Sequence, residues 1–273
     1  MGILVIQYQS AEESPLLLAL NREERIDRPA LSPRIQAGKP RVVCGIDSVS
    51  SGTWAGINQY GLFVAVVNTL KKNIPAKPRS RGLLCRDLLL TGNAEEAADI
   101  AVEELKKGTY AGCHFLCVDR SSGFAVHGGD EVDVVKLTPG LHTLSENRLN
   151  DPADVRQAFI HRQLTLQKID SAISFFAVAS RTFSRRANPA GKQGVIFSKG
   201  NAATVSSMMV SLTEKSQRSI MQYANGSPDM KTYDDMSALL RQVLSTERAA
   251  KAAAAAKEAK QKDNEDEIAI END

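Results

Sequence analysis

Residues 16–29 read Leu-Leu-Leu-Ala-Leu-Asn-Arg-Glu-Glu-Arg-Ile-Asp-Arg-Pro, and the reading of this stretch decides the fold. Leu16–Leu20 is an apolar run with the length and flanks of a buried strand. It gives way to Asn21, Arg22, Glu23 and Glu24, which together offer an amide, a guanidinium and two carboxylates. Such groups beside a core strand cost free energy to desolvate unless they pair or bind something. Two readings follow: a salt-bridged surface turn, or a polar site at the end of a core strand.

Upstream, Ile3-Leu4-Val5-Ile6-Gln7-Tyr8 is apolar and β-branched, which predicts the first strand. Ala11–Pro15 reads as the turn of a hairpin returning through Leu16–Leu20. That pairing brings residue 2 close to the cluster at 21–24. Downstream, Arg28–Arg41 holds three prolines and reads as a loop. Arg41–Gly45 is a short strand, and Thr53–Ile57 with Leu62–Val67 a hairpin. Leu62–Val67 is apolar at every position, so both its faces are covered. Lys71–Arg81, rich in Pro, Lys and Arg, reads as a mobile basic loop in which Arg81 can grip a carboxylate or phosphate.

Asn93 is an N-cap with Glu96 at N3 and Gly108 at the close, so a helix is expected between them. Cys113–Asp119 and Phe124–His127 form strands around Ser121-Ser122-Gly123. Cys113 and Cys117 share one face and His114 takes the other, so the three cannot hold one metal. With no CxxC pair and no HExxH, no metal site is expected. Val132–Leu137 and Leu141–Leu144 are expected to pair across Thr138-Pro139-Gly140. Asp151-Pro152 marks a helix start with an N1 proline. Ile169–Arg181 is helical, Ala203–Leu212 and Arg218–Ala224 pair, and Tyr233–Leu244 is a last short helix. Ala249–Lys262 favours helix without an apolar stripe, and the acidic residues after it suit disorder. The expected organisation is one sandwich domain over 1–246 and a tail over 247–273.

The 273 residues are 42% hydrophobic and 24% charged, which are globular values. Net charge is +2, but Asp263–Asp273 carries six acids; without it the body has 34 basic and 26 acidic residues, a charge of +8. A basic body favours anionic ligands. No zinc-finger or ribonucleoprotein motif points to nucleic acid. No membrane span or signal peptide is expected, and four scattered cysteines read as reduced and cytoplasmic.

Several motifs in order resemble the NRDE family, whose eukaryotic members include the transport and Golgi organisation proteins. Asn21, Arg22, Glu23 and Glu24, followed by Arg28-Pro29, are similar to its Asn-Arg-Asp-Glu signature, with Glu in the third place. Gly52-Thr53-Trp54-Ala55-Gly56-Ile57, Gly61–Asn68, Ser80-Arg81-Gly82 and Leu144-Ser145 with Asn147 resemble its later motifs. Thr204-Val205-Ser206-Ser207 is similar to a bacterial form of its late strand. The resemblance runs to about residue 240.

The resemblance implies an α+β fold, a four-layer helix–sheet–sheet–helix sandwich of the N-terminal-nucleophile-hydrolase type. It also implies that residue 2, usually Cys, supplies the nucleophile and its own α-amine the base. Here residue 2 is Gly, and removal of Met1 would leave the amine without an attacking side chain. Gly2, Asn21, Arg22, Glu23, Trp54, Asn68, Arg81 and Ser145 are the expected ligand-binding set. Relatives are implicated in haem handling and in lipid or acyl-CoA metabolism. The expected function is binding or trafficking of an amphipathic acidic small molecule, haem or acyl-CoA-like, with His127 or His142 as candidate haem ligands. The alternative is an amide-bond hydrolase with Arg22 and Glu23 orienting the amine and Asn68 in an oxyanion hole.

Overall fold

In the computed structural model, residues 2–11, 13–188, 191 and 193–244 are described. The expected hairpin forms: β1 (Gly2–Tyr8) runs antiparallel to β2 (Leu16–Arg25), with Gly2 opposite Arg22 and Tyr8 opposite Leu16. The polar cluster therefore continues the strand and is neither a turn nor its end. Side chains alternate along a strand, so its two faces go to different layers. Leu16, Leu18 and Leu20 join Leu4, Ile6 and Tyr8 in a core facing a second sheet. Leu17 and Ala19 join Ile3 and Val5 in a core facing helices.

Around this hairpin, β10 (Gly140–Leu144) pairs with β1, and β12 (Ala202–Leu212) pairs with β2. Beyond β12 lie β13 (Ile220–Ala224) and β14 (Asp234–Asp235), while the short β11 (Ser198–Lys199) also pairs with β12. The helices α3 (Val155–Thr165) and α4 (Ala172–Phe183) cover the outer face through Phe159, Ile160, Phe175 and Phe183.

The second sheet has the order β3 (Ala30–Gln36), β4 (Val42–Asp47), β5 (Ala55–Asn58), β6 (Phe63–Asn68), β7 (Cys113–Val118), β8 (Gly123–Gly128) and β9 (Val132–Lys136). Its inner residues Ile57, Phe63, Ala65, Val67 and Leu116 meet the first sheet. Its outer residues Val42, Cys44, Val64, Cys113, Phe115 and Cys117 meet α1 (Arg81–Leu88) and α2 (Ala94–Lys106). The architecture is the α+β helix–sheet–sheet–helix sandwich that the sequence implies. As expected, β6 is apolar on both faces, and Cys113 and Cys117 share a face away from His114. All four thiols are free and buried.

Some local expectations are corrected. Residues 30–36 form a strand despite Pro33. The strand sits at a sheet edge and its register shifts between Leu31 and Arg34, where a missing N–H is tolerated. β9 and β10 do not pair; Thr138-Pro139-Gly140 carries the chain from the second sheet to the first. Helix α3 starts later than expected, capped by Asp154, whose carboxylate accepts from the Arg156 and Gln157 amides. In α2 the buried face is built mainly of Ala94, Ala97, Ala98 and Ala101, with Leu105. Asn93 does cap α2, accepting from the Glu96 amide. Residues 237–244 are helical and place Leu240, Val243 and Leu244 in the core between the sheets. The expected tail at 247–273 lies outside the described residues.

Candidate functional site

Strand alternation splits the signature cluster. Arg22 stands on the same face as Leu20 and Gly2, toward the second sheet, where it opens into a cavity of about 440 Å³. The lining includes Arg22, Glu24, Arg28, Asp47, Trp54, Asn68 and Arg79–Gly82. Asn21 and Glu23 project largely the other way. Asn21 Nδ2 donates to the Phe183 carbonyl at the end of α4. Glu23 is buried and ion-paired with Arg156 of α3, which also donates to the Val195 carbonyl at 2.8 Å. Burial pushes the Glu23 carboxyl up in pKa, and Arg156 opposes that rise. Glu23 also touches the cavity wall, but its carboxylate is committed to the helix layer.

The Arg22 guanidinium lies 4.2 Å above the Trp54 ring. Its nearest carboxylate oxygen in an ion pair, on Glu24, is 4.0 Å away. Burial lowers its pKa, while Glu24, Tyr223 and Asp47 pull it back up. A half-buried Arg28 donates two bonds, 2.9 and 2.7 Å, to Asp47 Oδ2 and lies 3.9 Å from Glu24. Burial raises Asp47, but Arg28 and the amides of Val49 and Ser50 outweigh it and hold the carboxyl below its ordinary range. Thus Asp47 is neutralised by Arg28, and Arg22 faces the cavity with weaker compensation.

Glycines allow this wall to close. A Cβ on Gly45 would fall 2.3 Å from the Trp54 ring, so only Gly lets the indole lie across β4. A Cβ on Gly52 would fall 2.3 Å from the Gly82 carbonyl carbon, and Thr53 N donates to Gly82 O at 2.9 Å. Backbone contact between the Gly52-Thr53-Trp54 and Ser80-Arg81-Gly82 segments thereby fixes the first turn of α1 at the cavity. Ser80 caps that turn by accepting from the Leu83 amide. Arg81 lines the cavity, and its Nη1 donates to the Gly112 carbonyl at 2.9 Å. A helix N-terminus and several guanidiniums around one opening suit an anion.

Of the expected residues, Arg22, Glu23, Trp54, Asn68 and Arg81 line this cavity. Gly2 lines a narrow adjoining slot of about 30 Å³ with Leu4, Leu20, Asn21, Arg22, Trp54 and Val67. Ser145 is not part of either. It donates to Asp154, accepts from the Asn147 amide and Gln157 Nε2, and so belongs to the cap of α3. Asp47, the last residue of β4, and Arg79, in the basic loop, also line the cavity, and no sequence pattern marks their orientation. Arg28 and Glu24 were visible in the signature but not assigned to the site.

No histidine lines the described walls of this cavity. His142 uses both nitrogens, Nε2 toward the Thr138 carbonyl and Nδ1 toward Asn150. His127 and His114 face each other with Nδ1 atoms 3.1 Å apart beside a different cavity. Burial pushes His114 down to about 3 and His127 to about 4, so both rings are neutral near pH 7. Among the described residues, no group of three or more His, Cys, Asp or Glu is placed to hold a metal ion.

The family model of Transport and Golgi organisation 2 matches residues 1–218, which include the hairpin, both glycine-bearing segments and β12. The chain belongs to that family. It is 27% identical over 163 residues to the human Transport and Golgi organization protein 2 homolog, covering 57% of this chain and 58% of that protein. The bovine homolog is 28% identical over the same share of each chain. The alignment thus spans 58% of the length of these relatives.

Among solved structures, the Caenorhabditis elegans N-acylethanolamine-hydrolyzing acid amidase ortholog aligns with a TM-score of 0.50 at 11% identity. The alignment covers 76% of this chain and 91% of that one. A mutant of the conjugated bile acid hydrolase from Clostridium perfringens aligns at 0.45 and 14% identity, over 86% and 92%. The sandwich thus shares its fold with that amidase. No helix of the described residues is long and apolar enough to cross a membrane.

Proposed function

We propose that the Arg22 cavity binds the acidic group of an amphipathic small molecule, with an acyl-CoA-like ligand as the best fit. One observation carries this reading: a buried guanidinium, stacked on the sole tryptophan, opens into the cavity with its nearest ion-paired carboxylate 4.0 Å away. A phosphate or carboxylate entering there replaces the hydration that burial removed from Arg22. Arg81 and the first turn of α1 add donors, while Arg79 lines the wall with its guanidinium paired to Glu104. Trp54 and Val66 give the cavity an apolar wall for the rest of the ligand. Haem fits less well, since no imidazole lines the described walls to ligate iron and its acidic groups alone would hold it.

The second reading is an amide hydrolase of the N-terminal-nucleophile class. Its support is the register that sets Gly2, at the family's nucleophile position, opposite Arg22. Gly2 brings no attacking side chain, so that reading needs a water activated by the amine.

One assay separates the two. Trp54 fluorescence is titrated with long-chain acyl-CoA and with haem, and a panel of acyl-amides is assayed for turnover. Saturable quenching that is lost in Arg22→Ala, without turnover, supports binding. Turnover abolished by blocking the N-terminal amine would overturn it.

A further inference from the structure

Four exposed aliphatic side chains lie within four residues, along the chain, of residues that line the Arg22 cavity. Ile26, 64% exposed, sits between Glu24 and Arg28, both of which line the Arg22 cavity. Val49, 63% exposed, sits between the lining residues Asp47 and Ser50. Leu70, 90% exposed, follows Asn68 by two residues, and Ile74, 58% exposed, precedes Pro78 by four. Three separate loops, each contributing to the cavity wall, thus present aliphatic groups to solvent. No other large apolar side chain among the described residues is as exposed as Leu70.

The same loops are basic. Segments 24–31, 47–51 and 69–82 hold seven cations against three carboxylates, a net +4, and residues 69–82 contain no acid. All three carboxylates are ion-paired, Asp27 with Arg25 and both Asp47 and Glu24 with Arg28, and Arg79 pairs with Glu104 outside these segments. Lys72 and Lys77 are exposed and form no ion pair among the described residues. The Lys72 backbone amide donates to Asp130, which lines a neighbouring cavity with Thr69 and Glu131.

Aliphatic side chains set singly on different loops do not make the continuous patch that a rigid protein partner covers. They do suit a fluid interface into which each enters separately, with cations above it reaching anionic headgroups. We infer that this apolar and basic rim docks the mouth of the Arg22 cavity onto an anionic lipid bilayer. Leu70 and Ile74 enter the headgroup–acyl boundary, and Lys72 and Lys77 meet the lipid charges. Docking in this pose faces the opening toward the phase where amphiphiles reside, and it holds whatever ligand the cavity takes.

Flotation of the full chain with vesicles tests this, using phosphatidylcholine alone and phosphatidylcholine with a minor fraction of phosphatidylserine. The chain is expected to float with the anionic vesicles and to be released by high salt. Lys72→Gln with Lys77→Gln should lower the partition coefficient on the order of twentyfold. Leu70→Ser with Ile74→Ser should lower it on the order of tenfold at unchanged charge. All four sites are exposed, and circular dichroism verifies that the variants fold. Absence of flotation, flotation indifferent to phosphatidylserine, or an undiminished serine variant overturns the proposal. So does a serine variant whose only change is weaker self-association in sedimentation velocity, which would give the rim to a second copy of the chain.

Discussion

Replacing Arg22 by methionine should separate stability from ligand binding. The buried guanidinium loses hydration on folding, as its lowered pKa records. What it recovers is the contact with Trp54 at 4.2 Å and a pair with Glu24 at 4.0 Å. A desolvated cation–π contact contributes about 2 kcal/mol. An ion pair at that separation adds ~0.5 kcal/mol. Against these stands a desolvation cost of several kcal/mol for a buried ion. Methionine has similar length and packs on the indole through sulfur, so the balance favours the variant by ~0–2 kcal/mol. Glu24 is not stranded, because Arg28 lies 3.9 Å away. At about 2–4 °C per kcal/mol for a fold of this size, the Tm should stay level or rise by a few degrees. Binding should fall at the same time, since a charge-assisted hydrogen bond is worth about 1.5–3 kcal/mol, or roughly 10- to 150-fold in Kd. Calorimetric melting and titration with acyl-CoA read both quantities on one preparation. A Tm lowered by several degrees with unchanged affinity would refute the assignment and make Arg22 a structural residue.

Three further outcomes are expected. Arg156→Met removes the guanidinium that pairs with the buried Glu23 carboxylate, which should cost about 3–5 kcal/mol in urea unfolding at neutral pH. Because burial raises the Glu23 pKa, protonation relieves that charge, so the deficit should shrink as pH is lowered; a pH-independent deficit would contradict the ion-pair account. The His114–His127 pair titrates well below the ordinary 6.5 in the folded chain, so the unfolded chain binds more protons between pH 6.5 and the folded values of about 4 and 3. Stability should therefore fall as pH drops through that window, by up to ~1.4 kcal/mol per pH unit for each ring, and His114→Gln with His127→Gln should flatten this acid limb in denaturant titrations. Gly45→Ala pushes a methyl into the Trp54 ring and should cost about 1–3 kcal/mol; the emission of the single tryptophan should shift with it, and an unmoved spectrum would show that the indole has room.

The fold was legible where hydrophobic pattern and burial coincide. Leu16–Leu20 and Ile3–Tyr8 gave the hairpin, and Leu62–Val67 gave a strand covered on both faces, because core strands of a four-layer sandwich carry few alternatives. Partnership was not legible. Val132–Leu137 and Leu141–Leu144 look like a hairpin locally, yet the three residues between them cross from one sheet to the other. Pro33 suggested loop because a central strand forbids it, but an edge strand with a shifted register does not. At the site, the sequence gathered Asn21 to Glu24 into one cluster by proximity, whereas the pleat sends Arg22 to the cavity and commits the Asn21 amide and the Glu23 carboxylate to the helix side. Ser145 sat in a recognised motif, but its hydroxyl is consumed by the cap of α3. Asp47 closes β4 and Arg79 lies in the loop before α1, where orientation depends on contacts such as Gly52 against Gly82 that no periodicity announces.

That alternation has a consequence for how this strand can vary. Deleting Asn21 would shift every later residue to the opposite face of β2: Glu23 would take the cavity position of Arg22, Arg22 would take the place of Asn21 on the helix side, and Glu24 would meet Arg156. The electrical sign of the opening is thus a matter of parity, set by counting residues from the leucine run. Substitutions along this segment can be absorbed one at a time, whereas any odd change in its length inverts the character of the pocket while leaving its composition almost untouched.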